Sequence, residues 1–323
     1  MGLLDRFTGS VPFTQQDIPP LTDKVILVTG GNIGLGFQSV LDLAARSPGH
    51  IYLGARSRTK AESAIKEIRA RLPADNKTPI THLELDLSSF ASIKTAAKTF
   101  LAAETRLDLL LLNAGVMALP PGLTADGYEI QFGTNHVGHA LLTKLLLPVL
   151  QKTAAAAAAA AHPPDVRVVV LSSGAHRWTS VQGIDFDALR AAETPGVSTT
   201  ARYGQSKLAN ALWAREFARR CPQLTVVAVH PGVVGTNLFQ SMGERSWLVR
   251  NVAPWFLTSV EVGVRNQLWA STAPKDAVES GVYYEPIGVK GKASKLATDD
   301  ALAVRLWEWT EKELESVKVE AKI

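Results

Sequence analysis

Tyr203 stands four positions before Lys207 in "RYGQSKLAN", residues Arg202 to Asn210, ahead of a run of helix formers. Residues at i and i+4 share one helix face, so the phenol and the ammonium can point at the same place. Thirty positions before Tyr203, "VVVLSSGAH" sets Ser172 and Ser173 at the end of an apolar run. A phenol, a fixed cation and a serine hydroxyl are a set suited to proton transfer at an oxygen. A solvated helix can also hold a Tyr–Lys pair with no function, so the elements around these residues have to decide.

Those elements read as alternating buried strands and helices. "KVILVTG" is short and apolar, too short for a helix and rich in β-branched residues, and similar short apolar runs recur at "HIYLGAR", "ITHLELDL", "LDLLLLNAG", "VRVVVLSS", "LTVVAVHPG" and "GVYYEP". Between them lie helical stretches such as "SRTKAESAIKEIRARL", "FASIKTAAKTFLAAE", "GHALLTKLLLPVLQK" and "LANALWAREFARR". This alternation predicts an α/β fold: one doubly wound Rossmann-type domain with a parallel seven-stranded sheet and helices on both faces. Residues 1–22 read as an N-terminal leader and 23–323 as the domain. "TAAAAAAAAHPP", Thr153 to Pro164, reads as a surface extension of a helix stopped by Pro163 and Pro164.

Ligands of open α/β sheets bind at the carboxyl ends of the strands, where Ser173 and the entrance of the Tyr203 helix both fall. The first strand runs into "TGGNIGLG". Its turn and helix start, Gly30, Asn32, Ile33, Gly34, Leu35 and Gly36, suit close approach of a pyrophosphate, with the free amides of the helix aimed at it. The second strand ends in "GARSRTK", which offers Arg56, Arg58 and Lys60 and no acid before Glu62. An acid there would accept the ribose hydroxyls of NAD(H); a guanidinium forks onto a 2′-phosphate, so NADP(H) is favoured. At the third strand end Asp86 can accept from the adenine amino group and the Leu87 amide donate to the ring, although Asp86 fits equally well as the cap of the next helix. The fourth ends in "LNAGV", where Ala114 and Gly115 let a cofactor pass and Asn113 ties neighbouring strand ends together.

Composition excludes other classes. The chain has 323 residues, 46% of them hydrophobic, enough for a sizeable core. The net charge of +4 comes from dispersed Lys and Arg with no basic run, so nucleic acid is not expected as a partner. Cys221 is the sole cysteine, which excludes a disulfide framework and fits an inert thiol in a reducing, cytoplasmic setting. No signal peptide, membrane anchor or integral membrane segment is read. His136 and His139 lie at i and i+3 with no third ligand in view, and no metal is expected.

Taken in order, "TGGNIGLG", "LDLSS", "LNAG", "TNHVGH", "LSSGAH", "YGQSK" and "HPGVVGTN" resemble the short-chain dehydrogenase/reductase family over about residues 24–309. Within it the chain is most similar to the retinol-dehydrogenase-like and WW-domain-oxidoreductase-like members. Its C-terminal "YYEPIGVKGKASKLATDDALAVRLWEWTEKEL" resembles fungal reductases, often of secondary metabolism. The resemblance implies Tyr203 as general acid for carbonyl reduction or base for alcohol oxidation. A free phenol has a pKa of about 10, and Lys207 with oxidised nicotinamide would lower it. Lys207 would also hold the nicotinamide ribose hydroxyls. Ser173, the second serine of the pair, would stabilise charge on the substrate oxygen. Asn135 would kink its helix and support a water relay to the lysine, and Pro231, Gly232, Val234 and Thr236 would lock the carboxamide.

Residues 236–260, with Leu238, Phe239, Met242, Trp247, Leu248, Val252, Trp255 and Phe256, match the substrate lid of the family and imply a lipophilic small-molecule substrate. Two departures stand out. Leu112 replaces the first Asn of the usual "NNAG", and the Ser173 to Tyr203 interval is long. The extra segment can cover a helix face used for dimerisation, leaving monomer or homodimer open. The function expected is an NADP(H)-dependent oxidoreductase. The alternative is a non-catalytic dinucleotide-binding regulator or scaffold, although such proteins typically lose the tyrosine or the lysine.

Overall fold

The computed structural model describes residues 10–158, 165–234, 258–315 and 317. Seven strands form one sheet in the order β3-β2-β1-β4-β5-β6-β7, every neighbouring pair parallel. They are β1 (Val25–Thr29), β2 (His50–Ala55), β3 (Ile80–Glu84), β4 (Leu109–Leu112), β5 (Arg167–Leu171), β6 (Thr225–Val229) and β7 (Tyr283–Tyr284). β1, β4, β5 and β6 are buried along their whole length, which is why they read as continuous apolar runs. β3, at the edge, buries only Ile80 and Leu83. β7 has only two residues, bracketed by Gly281 at φ +84° and by Pro286. The order reverses between β1 and β4, and it is there that a crevice opens at the strand ends.

The described helices of eight or more residues are α1 (Gly34–Ala44), α2 (Arg58–Arg71), α3 (Phe90–Ala103), α4 (Gly138–Ala158), α5 (Thr199–Arg220), α6 (Arg265–Thr272) and α7 (Asp300–Glu315). Each sheet face carries its own apolar core, one holding Leu27, Phe100, Leu110, Leu146 and Val168, the other Val28, Val40, Ile51, Ile68 and Leu268. Full burial of one such side chain contributes about 1.5–3 kcal/mol, so the two layers hold the strand ends rigidly beneath the crevice. The polyalanine stretch continues α4 to Ala158; its remainder, with Pro163 and Pro164, lies outside the described residues. The leader from Ser10 on lies against the domain: Phe13 and Ile18 are buried, and the Val11 amide donates to the Ile287 carbonyl at 2.8 Å.

α5 is capped by Ser198, whose hydroxyl accepts from the Ala201 amide at 3.1 Å, and is buried on nearly all sides. α7 covers its outer face, where Trp307 stacks on Trp213 with ring centroids 6.2 Å apart and Arg220 lies over Trp307. Gly204 lets the start of α5 sit on the turn after β5: a Cβ there would come within 2.8 Å of the Ala175 carbonyl oxygen. Packing therefore sets Tyr203 and Lys207 over the end of β5.

Candidate active site

The turn after β1 is shaped by glycines. Gly30 and Gly34 adopt φ +66° and +56°, conformations that side-chain-bearing residues rarely take. A Cβ on Gly36 would fall on the Gly30 carbonyl oxygen. α1 begins at Gly34 with no side chain capping it, which leaves its first amides available to an anion. Asn113 donates through Nδ2 to the Thr29 carbonyl at 2.9 Å, and the Ala114 amide donates to the Thr29 hydroxyl at 3.0 Å. The strand ends are thereby tied together.

A cavity of about 670 Å³ starts at these glycines and ends at Tyr203 and Lys207. That volume lies within the range of small-molecule and cofactor pockets. Of the residues expected from sequence to bind a cofactor, its wall holds Gly30, Asn32, Ile33, Gly34, Leu35 and Gly36. Arg56 and Lys60 line it at the β2 end, with Asp86 and Leu87 beside them. Asn113, Ala114, Gly115 and Pro231 complete the expected set on the wall. Gly232 follows Pro231 at φ +88° but is off the wall, Val234 is buried and bridges to Thr258, and Thr236 lies outside the described residues. So do Leu238, Phe239, Met242, Trp247, Leu248, Val252, Trp255 and Phe256 of the expected lid.

Three local findings bear on the sequence reading, and the first corrects it. Asp86 is not the cap of α3; Ser89 is, accepting from the Ser92 amide. The Asp86 carboxylate instead receives the amide and hydroxyl of Ser88 at 2.9 and 2.6 Å. The second finding concerns Tyr203. Burial pushes its phenol up to about 12, opposed by a hydrogen bond with the Ser173 side chain. The Lys207 ammonium sits 5.7 Å from the Tyr203 ring centroid and donates to the Leu171 carbonyl at 2.9 Å. Burial draws Lys207 itself down to about 8. Third, the Asn135 side chain is fully engaged, its amide donating to the Val116 carbonyl and the Ser206 hydroxyl and its oxygen accepting from the Val116 amide, all at 2.8–2.9 Å. Asn135 lies in a π-helical turn, Gly133–Val137, that feeds α4.

The two serines separate clearly. Ser172 reaches the cavity wall, but its hydroxyl donates to the Lys207 carbonyl at 2.7 Å and so braces α5. Ser173 heads the short 3₁₀ turn Gly174–Arg177 and, off the cavity wall, engages Tyr203. Among the described residues no group of three metal-ligating side chains occurs. His139 instead donates from Nδ1 to the Asn135 carbonyl and pairs through Nε2 with the Thr29 hydroxyl, each at 2.9 Å, while His136 meets Thr310 at 3.0 Å.

Sequence reasoning missed several residues here. Met117 and Ala175 pack on Tyr203, and Met117, Leu119 and Ile130 give the cavity an apolar wall at that end. The loop bearing Met117 is held by Gln131, fully buried, whose Oε1 accepts from the Ala118 amide at 2.8 Å and whose Nε2 donates to the Thr199 carbonyl at 3.0 Å. Ala118 is held at φ +53°. No spacing in the sequence marks Gln131, because its partners lie on a separate loop and on the start of α5.

The family model for short chain dehydrogenases matches residues 24–176. A short-chain dehydrogenase/reductase of Aspergillus calidoustus, drtF, is 40% identical over 94% of this chain and 97% of its own length. The chain is a short-chain dehydrogenase/reductase. Retinol dehydrogenase 13 of Homo sapiens is 38% identical over 94% of this chain and 88% of its own, consistent with the retinol-dehydrogenase-like branch. Among solved structures, a Pseudomonas aeruginosa RhlG/NADP active-site complex superposes with a TM-score of 0.63 at 19% identity, over 83% of this chain and 96% of that one. The family is one of nicotinamide-dependent oxidoreductases of alcohol and carbonyl groups, and this short-chain dehydrogenase/reductase is an enzyme of that kind. Among the described residues no helix is long and apolar enough to cross a membrane.

Proposed function

We propose that this oxidoreductase uses NADP(H) and acts on a ketone, aldehyde or secondary alcohol of a lipophilic small molecule, with reduction favoured. The observation that carries this reading is one cavity with three unlike stations: a glycine turn, the basic pair Arg56 and Lys60, and Tyr203 with Lys207. The glycine turn and the uncapped start of α1 fit a pyrophosphate, and Gly36 lets α1 start directly on the Gly30 carbonyl, where a side chain would clash. Arg56 and Lys60 fit a 2′-phosphate better than a diol. The RhlG structure, similar in fold, is a complex with NADP, which agrees with that choice. When bound, the nicotinamide gives or takes the hydride.

The protein's own groups act on the proton and the oxygen. A phenol held up to about 12 by burial stays protonated at neutral pH, so Tyr203 is poised as the proton donor of a reduction. Ser173, hydrogen-bonded to the phenol, holds the same substrate oxygen as charge develops. Lys207 directs one N–H to Leu171 and has two further donors with which to hold ribose hydroxyls. Asn135 pins Val116 and thereby the loop that closes the cavity. Met117, Leu119 and Ile130 exclude water and favour an apolar substrate. A cytoplasmic location and a place in fungal secondary metabolism belong to the same reading; the buried lone Cys221 and the fungal relative support them.

The test is NADPH oxidation with carbonyl compounds graded in lipophilicity, for the wild type and Tyr203→Phe. The variant should lose about 10²–10⁴-fold in kcat while still binding NADPH. Equal turnover in the two proteins would sink the role of Tyr203, and NADPH binding without turnover in the wild type would point to a dinucleotide-binding regulator.

A further inference from the structure

His176, in the "LSSGAH" stretch, is off the cavity wall, yet it is buried and bonded on both ring nitrogens. Its Nε2 accepts the backbone amide of Ser294 at 3.1 Å. That bond leaves the ring proton on Nδ1, which donates to the carbonyl of Ser173 at 2.7 Å. One imidazole in one fixed tautomer therefore joins the serine that engages Tyr203 to a segment that lies 118 residues beyond His176 in the chain. The ring packs edge-on against Tyr283, with centroids 4.8 Å apart.

The surroundings keep the ring neutral. Burial holds His176 below the usual imidazole value and outweighs the hydrogen bond to the Ser173 carbonyl, which raises it; Arg177 lowers it and Glu285 raises it more weakly. His230, itself drawn down to about 4 by burial, lies beyond Gly174: a Cβ on that glycine would be 3.2 Å from His230 Nε2. Tyr283 also packs against the ring, and burial pushes its phenol up. Protonation of Nε2 would place an N–H against the Ser294 N–H and release it.

We propose that His176 is a positioning residue: a neutral two-sided clamp that sets the Ser173 turn through Nδ1 and latches the C-terminal segment at Ser294 through Nε2. The inference rests on the role proposed above for Ser173. Asn at this position can reproduce the Nδ1 donor and not the Nε2 acceptor; Gln can reproduce the acceptor and not the donor. Expected in carbonyl reduction is a kcat within about threefold of wild type for His176→Asn and a loss of about tenfold or more for His176→Gln, the scale of one hydrogen bond to a group handling charge. The NADPH dissociation constant should be unchanged in both. In amide hydrogen exchange, Ser294 should lose protection in His176→Asn and keep it in His176→Gln.

The reverse order of kcat, or equal losses in the two variants, would overturn the clamp, because plain packing does not distinguish the two nitrogens. Wild-type protein gives a measurement free of any folding defect: Ser294 protection should fall as pH drops through the lowered His176 titration while that of Ala303, bonded to the Asp299 carbonyl, holds. Protection at Ser294 that ignores pH also overturns it. A wild type that reduces no carbonyl would refute the proposed function instead, and the exchange data would still judge the clamp.

Discussion

The two ends of the cavity are built by different means. At the cofactor end the backbone does the shaping: Gly30, Gly34 and Gly36 take positions closed to other residues, and strand ends are tied through Asn113 to Thr29. At the Tyr203 end side chains do it, with Asn135 gripping both backbone groups of Val116 and Gln131 gripping Ala118 and Thr199. A backbone-made site admits one kind of residue at each position and accommodates one ligand shape. A site made by side-chain clamps can be re-cut by changing the residues between them while the clamps remain. The first end suits a ligand shared by many enzymes, the second a substrate that differs from one enzyme to the next.

The largest effect is expected where that contrast is sharpest. Gly36→Val would set a branched side chain against the Gly30 carbonyl and the Asn113 amide. NADPH binding, followed by fluorescence titration, should weaken by more than about a hundredfold, because the turn must move out of the geometry that admits a pyrophosphate. Near-normal affinity would mean that the cofactor end is not set by its backbone.

Next comes a comparison of two neighbouring serines. Ser173→Ala should lower kcat about 10²-fold, the scale of one donor to a developing oxyanion, with little change in Tm. Ser172→Ala removes the donor to the Lys207 carbonyl, leaves that oxygen unpaired in a buried site and should cost about 1–3 kcal/mol of stability. Loss of activity in Ser172→Ala at unchanged Tm would reverse the assignment.

How much of this the sequence revealed follows the same division. The seven strands, the glycine turn and the pairing of Arg56 and Lys60 on one wall were legible, because each depends on neighbours a few positions away. The Tyr203 and Lys207 pair was legible as one helix face, but the rise of the Tyr203 phenol in the chain without cofactor was not. It depends on burial by Met117 and Ala175, which come from two other elements. Asp86 illustrates a subtler failure: two side chains, Asp86 and Ser89, could cap α3, and only the path of the chain decides for Ser89. Gln131 and His176 were invisible, since a buried amide or imidazole has no periodicity of its own and acquires meaning from a distant partner.

Arg56→Asp tests the cofactor end by charge where Gly36→Val tests it by shape. Removing a charge-assisted contact to a phosphate and adding an acid should raise the NADPH dissociation constant about 10- to 100-fold and change that for NADH by no more than a few-fold. Equal changes for the two cofactors would show that Arg56 faces solvent in the complex and that the β2 end does not select between them.

The smallest effect belongs to the side-chain clamp, and it is the one that tests the contrast itself. Gln131→Met keeps volume but leaves the Ala118 amide without its acceptor. Ala118 at φ +53° costs of order 1 kcal/mol and holds that conformation only while the surroundings impose it. Without Gln131 the loop should relax and carry Met117 away from Tyr203, raising KM for a lipophilic carbonyl a few-fold and leaving NADPH affinity untouched. Glycine adopts that φ without strain, so adding Ala118→Gly to Gln131→Met should recover part of the lost KM. A general packing defect at Gln131 would gain nothing from a glycine at 118, and an equal loss of NADPH affinity would mean that the two ends are not built separately.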